Sequence, residues 1–526
     1  MFFFNSVILL LISSVLYLYW YLKKTYSFFE QHGIPYIKPT PLFGNMTDVI
    51  LLRKSMAEGF ADLYKKLEPH RFAGVFFGTK PMILIRDPDL IKDIWIKDFA
   101  YFSDRGWKID QDLEPLSHHL FTMQNDDWRS LRIKLTNAFT TGKMKLMLPL
   151  VKACGEKLSE VIDQTQYDKF FDVKELSSRY TTDVIGNCAF GLQTNSLDDP
   201  NAEFIIMGKK LLQFRLRSLF RMFEFEMPQR LKRLLKITFF DLKTQDFFGD
   251  IVYKAIDYRE KNNVKRNDLL DLLITLKNDY IFPKLDNTVE KEKSSQQFVN
   301  QNGSAREIKT DSKITNESLA AQAFIFYLAG FETSSTTLSY ALMELSQNQH
   351  IQDKVRQEII DVISASDGQL TYDGLKQMTY TDMVIQETLR KYPSAAVLFR
   401  RTVKNYKVAD SKVVIPAATP IVLSNYGLHM DEKYFDNPQE FRPERFSEEE
   451  KSKRQNYTYL PFGEGPRYCI GARFAKIIVK VGLIYALWHY TYRISSEMKF
   501  PIKYDKNFGL LTPNNSILLQ REKLRT

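Results

Sequence analysis

Cys469 stands in the run PFGEGPRYCIGARFA, from Pro461 to Ala475, ahead of a strongly apolar helical pattern, AKIIVKVGLIYALWHY. A thiol at a helix N-terminus meets the positive end of the helix dipole and free amide donors, which favours its thiolate. Gly463 and Gly465 permit a tight, bulged backbone, and Gly471 lets the main chain approach a large flat partner. Arg467 puts a cation two residues before the thiol. Together these residues suit a ligand that takes a thiolate and carries carboxylates. Cys154 and Cys188 have no such surroundings and read as packing residues.

Three further clusters have chemical meaning. In SLAAQAFIFYLAGFETSSTTLSYALMELS the only charge from Leu319 to Met343 is Glu332, so hydropathy alone admits a second membrane span. Six Ser and Thr residues and a central Gly-Phe-Glu predict a buried protein helix instead. A Thr hydroxyl in mid-helix, as at Thr333, can bond its i−4 carbonyl and open the local ladder. In QETLRKYP, Glu387 and Arg390 share a helix face. In DDWRSLRIKL, Trp128 and Arg132 do the same at i, i+4.

The Cys469 run resembles the haem-thiolate loop of the cytochromes P-450, F-x-x-G-x-R-x-C-x-G, at Phe462, Gly465, Arg467, Cys469 and Gly471. The resemblance implies that Cys469 is the axial ligand of haem b iron. Phe462 would pack near the sulfur and Arg467 would pair a haem propionate. Ala329, Gly330, Glu332 and Thr333 resemble the family's oxygen-activation motif A-G-x-E/D-T. It implies room for dioxygen beside Ala329 and Gly330, and proton delivery by Thr333 with Glu332 behind it. Glu387 and Arg390 match the E-x-x-R pair, which joins Arg445 of FRPERF in a buried structural network. Trp128 and Arg132 match W-x-x-x-R, whose residues meet the propionates. The four motifs keep the family's order. FTTGKMKLM, TTDVIGNCAFG and YTYLPFGEGPR extend the likeness to the insect sixth family of microsomal cytochromes P-450.

This chain departs from that subgroup in two places. IGARFA follows the cysteine where IGMRFG is more usual, and YPSAAVLFRR replaces a proline-rich run. Some relatives also carry a propionate arginine at the position read as Val397, for which Arg105 or Arg400 is the available substitute.

These residues need a scaffold, and the 526-residue pattern supplies one. It is mainly helical, with small β pieces at Gly74–Pro88 (a hairpin) and Lys412–Tyr426 (strand, turn, strand). The resemblance implies the cytochrome P-450 fold, one haem-containing domain over 46–526, with a flexible insertion about 284–313. Residues 2–22 lack charge and are long enough to span a bilayer as a helix; Lys23 and Lys24 follow, placing the body on the cytosolic side. In a cleaved signal peptide, the competing reading, the basic residues would precede the apolar run. Residues 23–45, with Pro35, Pro39 and Pro41, read as a semi-rigid linker. Phe204–Phe248 mixes Arg and Lys with Phe and Leu, which suits either a membrane interface or surface helices.

Only three cysteines exclude a disulfide-stapled scaffold. Net charge is +10, but the basic residues are scattered and carry no nucleic-acid motif, so an anionic membrane surface is the expected partner. The resemblance implies a monooxygenase that hydroxylates or epoxidises small hydrophobic substrates with O2. Its electrons would come from NADPH through cytochrome P-450 reductase, with cytochrome b5 as a second donor. The endoplasmic reticulum membrane is the implied location. Xenobiotics such as plant toxins and insecticides are the implied substrates, an endogenous lipid or hormone the alternative. The expected cavity wall comprises Gly106–Phe121, Phe324, Ala329 and Ala395–Leu398, with His118 and His119 as polar contacts and His119 placed at the surface or in a loop. Two rival classes remain open: a haem-thiolate isomerase or dehydratase, and a membrane-tethered binding protein without turnover.

Overall fold

The computed structural model describes residues 2–106, 110–165, 169–212, 229–236, 238, 240–281, 315–506 and 509–524. The insertion expected at 284–313, and 213–228 of the basic amphipathic stretch, lie outside the described residues.

Helix α1 (Phe2–Tyr26) is apolar and exposed up to its last turn, where Tyr26 packs on Phe76, so by length and composition it can cross a bilayer. It continues four residues past Leu22, through Lys23 and Lys24. The segment after it is no free spacer. Phe29 and Ile34 are buried in the body, Tyr36 pairs in parallel with Gly74, and Gly44 pairs with Phe77. Prolines rule out a continuing helix but leave extended chain free to add to a sheet edge.

Helix α2 (Met56–Lys66) starts at a capping box, in which Ser55 and Glu58 satisfy each other's backbone amides. Strands β1 (Phe72–Phe77) and β2 (Lys80–Ile85) form the expected hairpin, with Phe77 opposite Lys80. Helices α3 (Asn125–Thr136), α4 (Thr141–Gln164) and α5 (Val173–Ile185) follow, with β3 (Phe171–Asp172) before α5. Helix α6 (Asn316–Gln347) crosses the middle of the molecule, capped by Thr315. It is buried over most of its length and is a core helix, not a second span. A Cβ on Gly330 would stand 2.5 Å from Ile185 Cδ1, so glycine is what lets α6 lie against α5. Then come α7 (Thr379–Lys391), β4 (Val397–Arg401), β5 (Tyr406–Lys407), β6 (Val414–Ile415), β7 (Pro420–Ser424), α8 (Ala472–Leu487), β8 (Tyr490–Ile494) and β9 (Leu518–Lys523).

The strands form three sheets, ordered β1-β2-β7-β4, β3-β9-β8 and β5-β6. The two strands read in Lys412–Tyr426 exist, but β6 pairs with β5 while β7 lies between β2 and β4. The architecture is mainly helical with small sheets, as expected. The larger sheet brings β4 beside Asp104, whose carbonyl accepts from Arg401 N at 2.7 Å.

Candidate active site

The Cys469 loop is built from short backbone bonds. Cys469 N donates to Phe462 O at 3.0 Å, and Tyr468 N to Gly465 O at 2.8 Å. Gly465 has φ +70°, and a Cβ there would stand 1.9 Å from Trp95 O, so no other residue fits. At Gly471, by contrast, a Cβ would find only Phe139 Cε1, at 4.0 Å. That side faces a cavity of about 1320 Å3. Cys469 is deep in the molecule yet accessible, because its thiol opens into the same cavity. Phe462, Arg467 and Gly471 line it with Cys469, and Ala329, Gly330 and Thr333 of α6 line it as well.

The expected thiolate preference is not what the protein alone provides. Burial pushes the Cys469 thiol up, and the amide of Gly471 with Arg132 and Arg105 only partly opposes this. Cys154 and Cys188 are buried as expected, Cys154 with its thiol pushed up to about 12 by burial.

Four arginines gather at one side of the cavity: Arg105, Arg132 (α3), Arg400 (β4) and Arg467. Arg467 donates to the carbonyls of Ser103 (2.9 Å) and Met123 (2.8 Å), and its guanidinium lies 4.0 Å from the Trp128 ring centroid. Burial, then Arg105 and Arg400, push it down to about 8. Arg105 is pushed down to about 10 by burial and Arg132, and Arg400 well below its ordinary value by burial and Arg105. Arg400 Nε is buried with no hydrogen-bond partner. An arginine does not give up its proton in a protein, so these values measure a shortage of anions. Asp104, 3.8 Å from Arg467, partly offsets it. The group fits a ligand bearing two carboxylates beside a thiolate-binding centre, and haem b has that chemistry. Both arginines named beside Val397, Arg105 and Arg400, belong to this cluster.

Thr333 Oγ1 donates to Ala329 O at 2.5 Å, the i−4 bond anticipated from its position. Glu332 does not stand behind it. Lys174 Nζ holds Glu332 Oε1 at 2.8 Å, Thr336 donates to the same oxygen, and Glu332 is not among the cavity-lining residues. Consecutive helical residues point about 100° apart, so the two side chains face different neighbours. Ala329 and Gly330 both line the cavity, and the Cβ direction of Gly330 is the one that meets Ile185.

Glu387 and Arg390 are fully buried and doubly bonded, Arg390 Nε to Oε2 at 2.7 Å and Nη2 to Oε1 at 2.8 Å. Arg390 also donates to the carbonyls of His429 and Glu440. Arg445 Nε lies 3.4 Å from Glu387, an ion pair without a hydrogen bond.

Along the wall, Gly106, Asp110, Glu114, Leu120, Phe121, Ala395, Val397 and Leu398 take part as expected. Residues 107–109 lie outside the described residues. Phe324 does not line the cavity. It is buried behind the wall against Phe240 and Phe248, and Ile325, Phe326 and Leu328 line it instead. His119 lies in a loop, as expected, and lines the cavity, but it is buried and burial holds it down to about 3, so it is neutral; His118 is not a lining residue. Sequence reasoning missed Asp104 and Lys174, which carry no motif, and Ser394, whose only signal was its place in the departing YPSAAV run.

The cytochrome P450 family model matches residues 34–521. The chain belongs to the cytochrome P450 family. It is similar to insect sixth-family members over nearly its whole length. Cytochrome P450 6k1 of Blattella germanica is 37% identical over 516 residues, covering 98% of this chain and 96% of that one. Probable cytochrome P450 6a23 of Drosophila melanogaster is 38% identical over 526 residues, covering 99% of each. Cytochrome P450 6a2 of the same fly is 38% identical over 528 residues, covering 98% of this chain and 99% of the other. The protein is therefore a cytochrome P450 monooxygenase, an oxidoreductase that uses haem, O2 and NADPH-derived electrons passed on by a reductase.

Proposed function

We propose that Cys469 is the axial haem ligand and that Arg105, Arg132, Arg400 and Arg467, with Trp128, hold the propionates. The observation that carries this reading is four crowded cations, with Asp104 3.8 Å from Arg467, next to an accessible thiol. Phe462 packs against the ligand side, and Gly471 and Ala329 leave room for the macrocycle and for O2. When bound there, haem supplies oxygen activation, supported by electron donation from the thiolate. The chain's own part is to position, exclude water and move protons. Thr333 is the hydroxyl that hands protons into the cavity, and Glu332 supports it only on leaving Lys174. Glu387, Arg390 and Arg445 keep the frame behind the cysteine loop rigid.

The substrates in this reading are apolar xenobiotics such as plant toxins and insecticides. Support comes from the wall: Phe60, Phe77, Met82, Phe121, Leu398 and Phe399 line the cavity. An endogenous lipid or hormone fits the same wall. The cavity also reaches Phe28, just past the end of α1, which suits lipophilic substrates arriving from a bilayer.

Residues 2–22 are the membrane anchor in this proposal, 23–45 the connection and 46–526 the catalytic domain, on the cytosolic face of the endoplasmic reticulum. Leu231, Leu234 and Leu235 are exposed and offer a second lipid contact. Cytochrome b5 is a second electron donor.

The test is the carbon-monoxide difference spectrum of the reduced protein beside Cys469→Ala. A strongly red-shifted Soret band confined to the unmutated protein is expected. The same band in Cys469→Ala would overturn the assignment.

A further inference from the structure

Ser394 sits between α7 and β4. It lines the cavity beside Thr333 and Thr337 and is 7% exposed. Its Oγ lies 3.3 Å from Thr337 Oγ1 and 3.3 Å from Thr333 O. Both distances exceed the roughly 2.5–3.0 Å of a good O–H···O bond. Thr333 O also accepts from Thr337 Oγ1 at 2.8 Å, a shorter bond than the one from Ser394. The Ser394 proton is thus left with two poor acceptors in a nearly buried place, where an ill-made hydrogen bond costs free energy. The rest of that wall is apolar: Ile385, Leu389, Ala395, Val397 and Leu510.

We propose that Ser394 is a specificity-determining residue whose hydroxyl donates to an acceptor oxygen of the substrate. The substrate class is therefore an apolar molecule carrying a carbonyl, ester or ether oxygen, rather than a plain hydrocarbon. The bond fixes the oxygen beside Thr333 and so sets which carbon faces the cysteine side of the cavity. The inference rests on the reading of this cavity as the substrate site above haem.

A matched pair of ligands tests it. 4-Phenyl-2-butanone and n-butylbenzene differ by one carbonyl, and each is titrated by its shift of the Soret band. Ser394→Ala should weaken the ketone about fivefold, the worth of one average hydrogen bond, and leave butylbenzene within about twofold. Ser394→Thr, which keeps the hydroxyl, should retain the ketone preference. Equal losses for both ligands would mean a change of cavity shape and would overturn the proposal. An unchanged ketone affinity would do the same, since a water would then be satisfying the hydroxyl. The red-shifted carbon-monoxide band in each variant confirms an intact site. Its absence from the unmutated protein would remove the haem reading itself, and the proposal with it.

Discussion

Glu387→Gln changes one atom and removes one charge from a place with no solvent. Glu387, Arg390 and Arg445 are at most 4% exposed at their side chains. The glutamine oxygen still accepts one bond from Arg390, but the two guanidiniums lose their counter-charge. Breaking a buried pair in this way costs about 3–5 kcal/mol, a large part of the 5–15 kcal/mol that holds a typical protein together. The loss should appear as an earlier urea unfolding midpoint followed by tryptophan fluorescence, with less haem bound per chain. Asp126→Asn is the matched control. Asp126 pairs with Arg129 at the same i, i+3 spacing, but the side chains are 83% and 38% exposed, so the midpoint should stay in place. A second comparison separates charge from shape. Glu387→Leu combined with Arg390→Met removes both charges of the closer pair and should be less damaging than the sum of the two single changes by about 1–3 kcal/mol. If Glu387→Gln unfolds within 1 kcal/mol of the unmutated protein, or the double change is simply additive, the network is not the strut argued for here.

Three further outcomes are expected. Arg400→Met should speed haem loss to an apoglobin acceptor about tenfold or more, because a buried charge-assisted bond is worth about 1.5–3 kcal/mol, while the haem-free protein should not be destabilised, since one crowded cation is gone; a slower loss would contradict the propionate role. Thr333→Ala should keep haem but lower product formed per NADPH by about tenfold or more, the balance appearing as peroxide, and unchanged coupling would sink the proton-delivery role. His429 accepts from Leu460 N at 2.9 Å through Nε2 and contacts Arg390 O through Nδ1, and burial, then Arg390, hold it down to about 3. The unfolded chain protonates near pH 6.5 and the folded chain does not, so stability falls as pH drops from 6.5 towards 3, by about 2 kcal/mol at pH 5 from this residue; Glu or Asp titration alone would leave the slope of a His429→Gln melting series unchanged, whereas a flatter slope is expected.

What the sequence revealed and what it hid follow one physical division. The Cys469 loop was legible because its chemistry is local: glycines, a cation and a thiol lie within ten residues and a helix start fixes their directions. The core helix was legible for a similar reason, since its periodicity and hydroxyl residues distinguish a protein interior from lipid. Long-range partners leave no such trace. Arg105, Arg132, Arg400 and Arg467 come from four separated segments, and long-range bonds such as Arg401 N to Asp104 O and Arg467 to the carbonyls of Ser103 and Met123 help bring them together. Lys174 is an unremarked surface-type residue until α5 lies against α6 and pairs it with Glu332. The linker shows the same limit from another side: proline forbids helix, which sequence can say, but whether extended chain floats or joins a sheet edge depends on what Phe29 and Ile34 find to bury against. The thiol is the sharpest case. A helix start and a nearby arginine favour the charge, burial opposes it, and the depth of Cys469 in the fold is what makes burial the larger influence. At Cys469 and at Arg467 alike burial is the largest influence, and in both it disfavours the charged form.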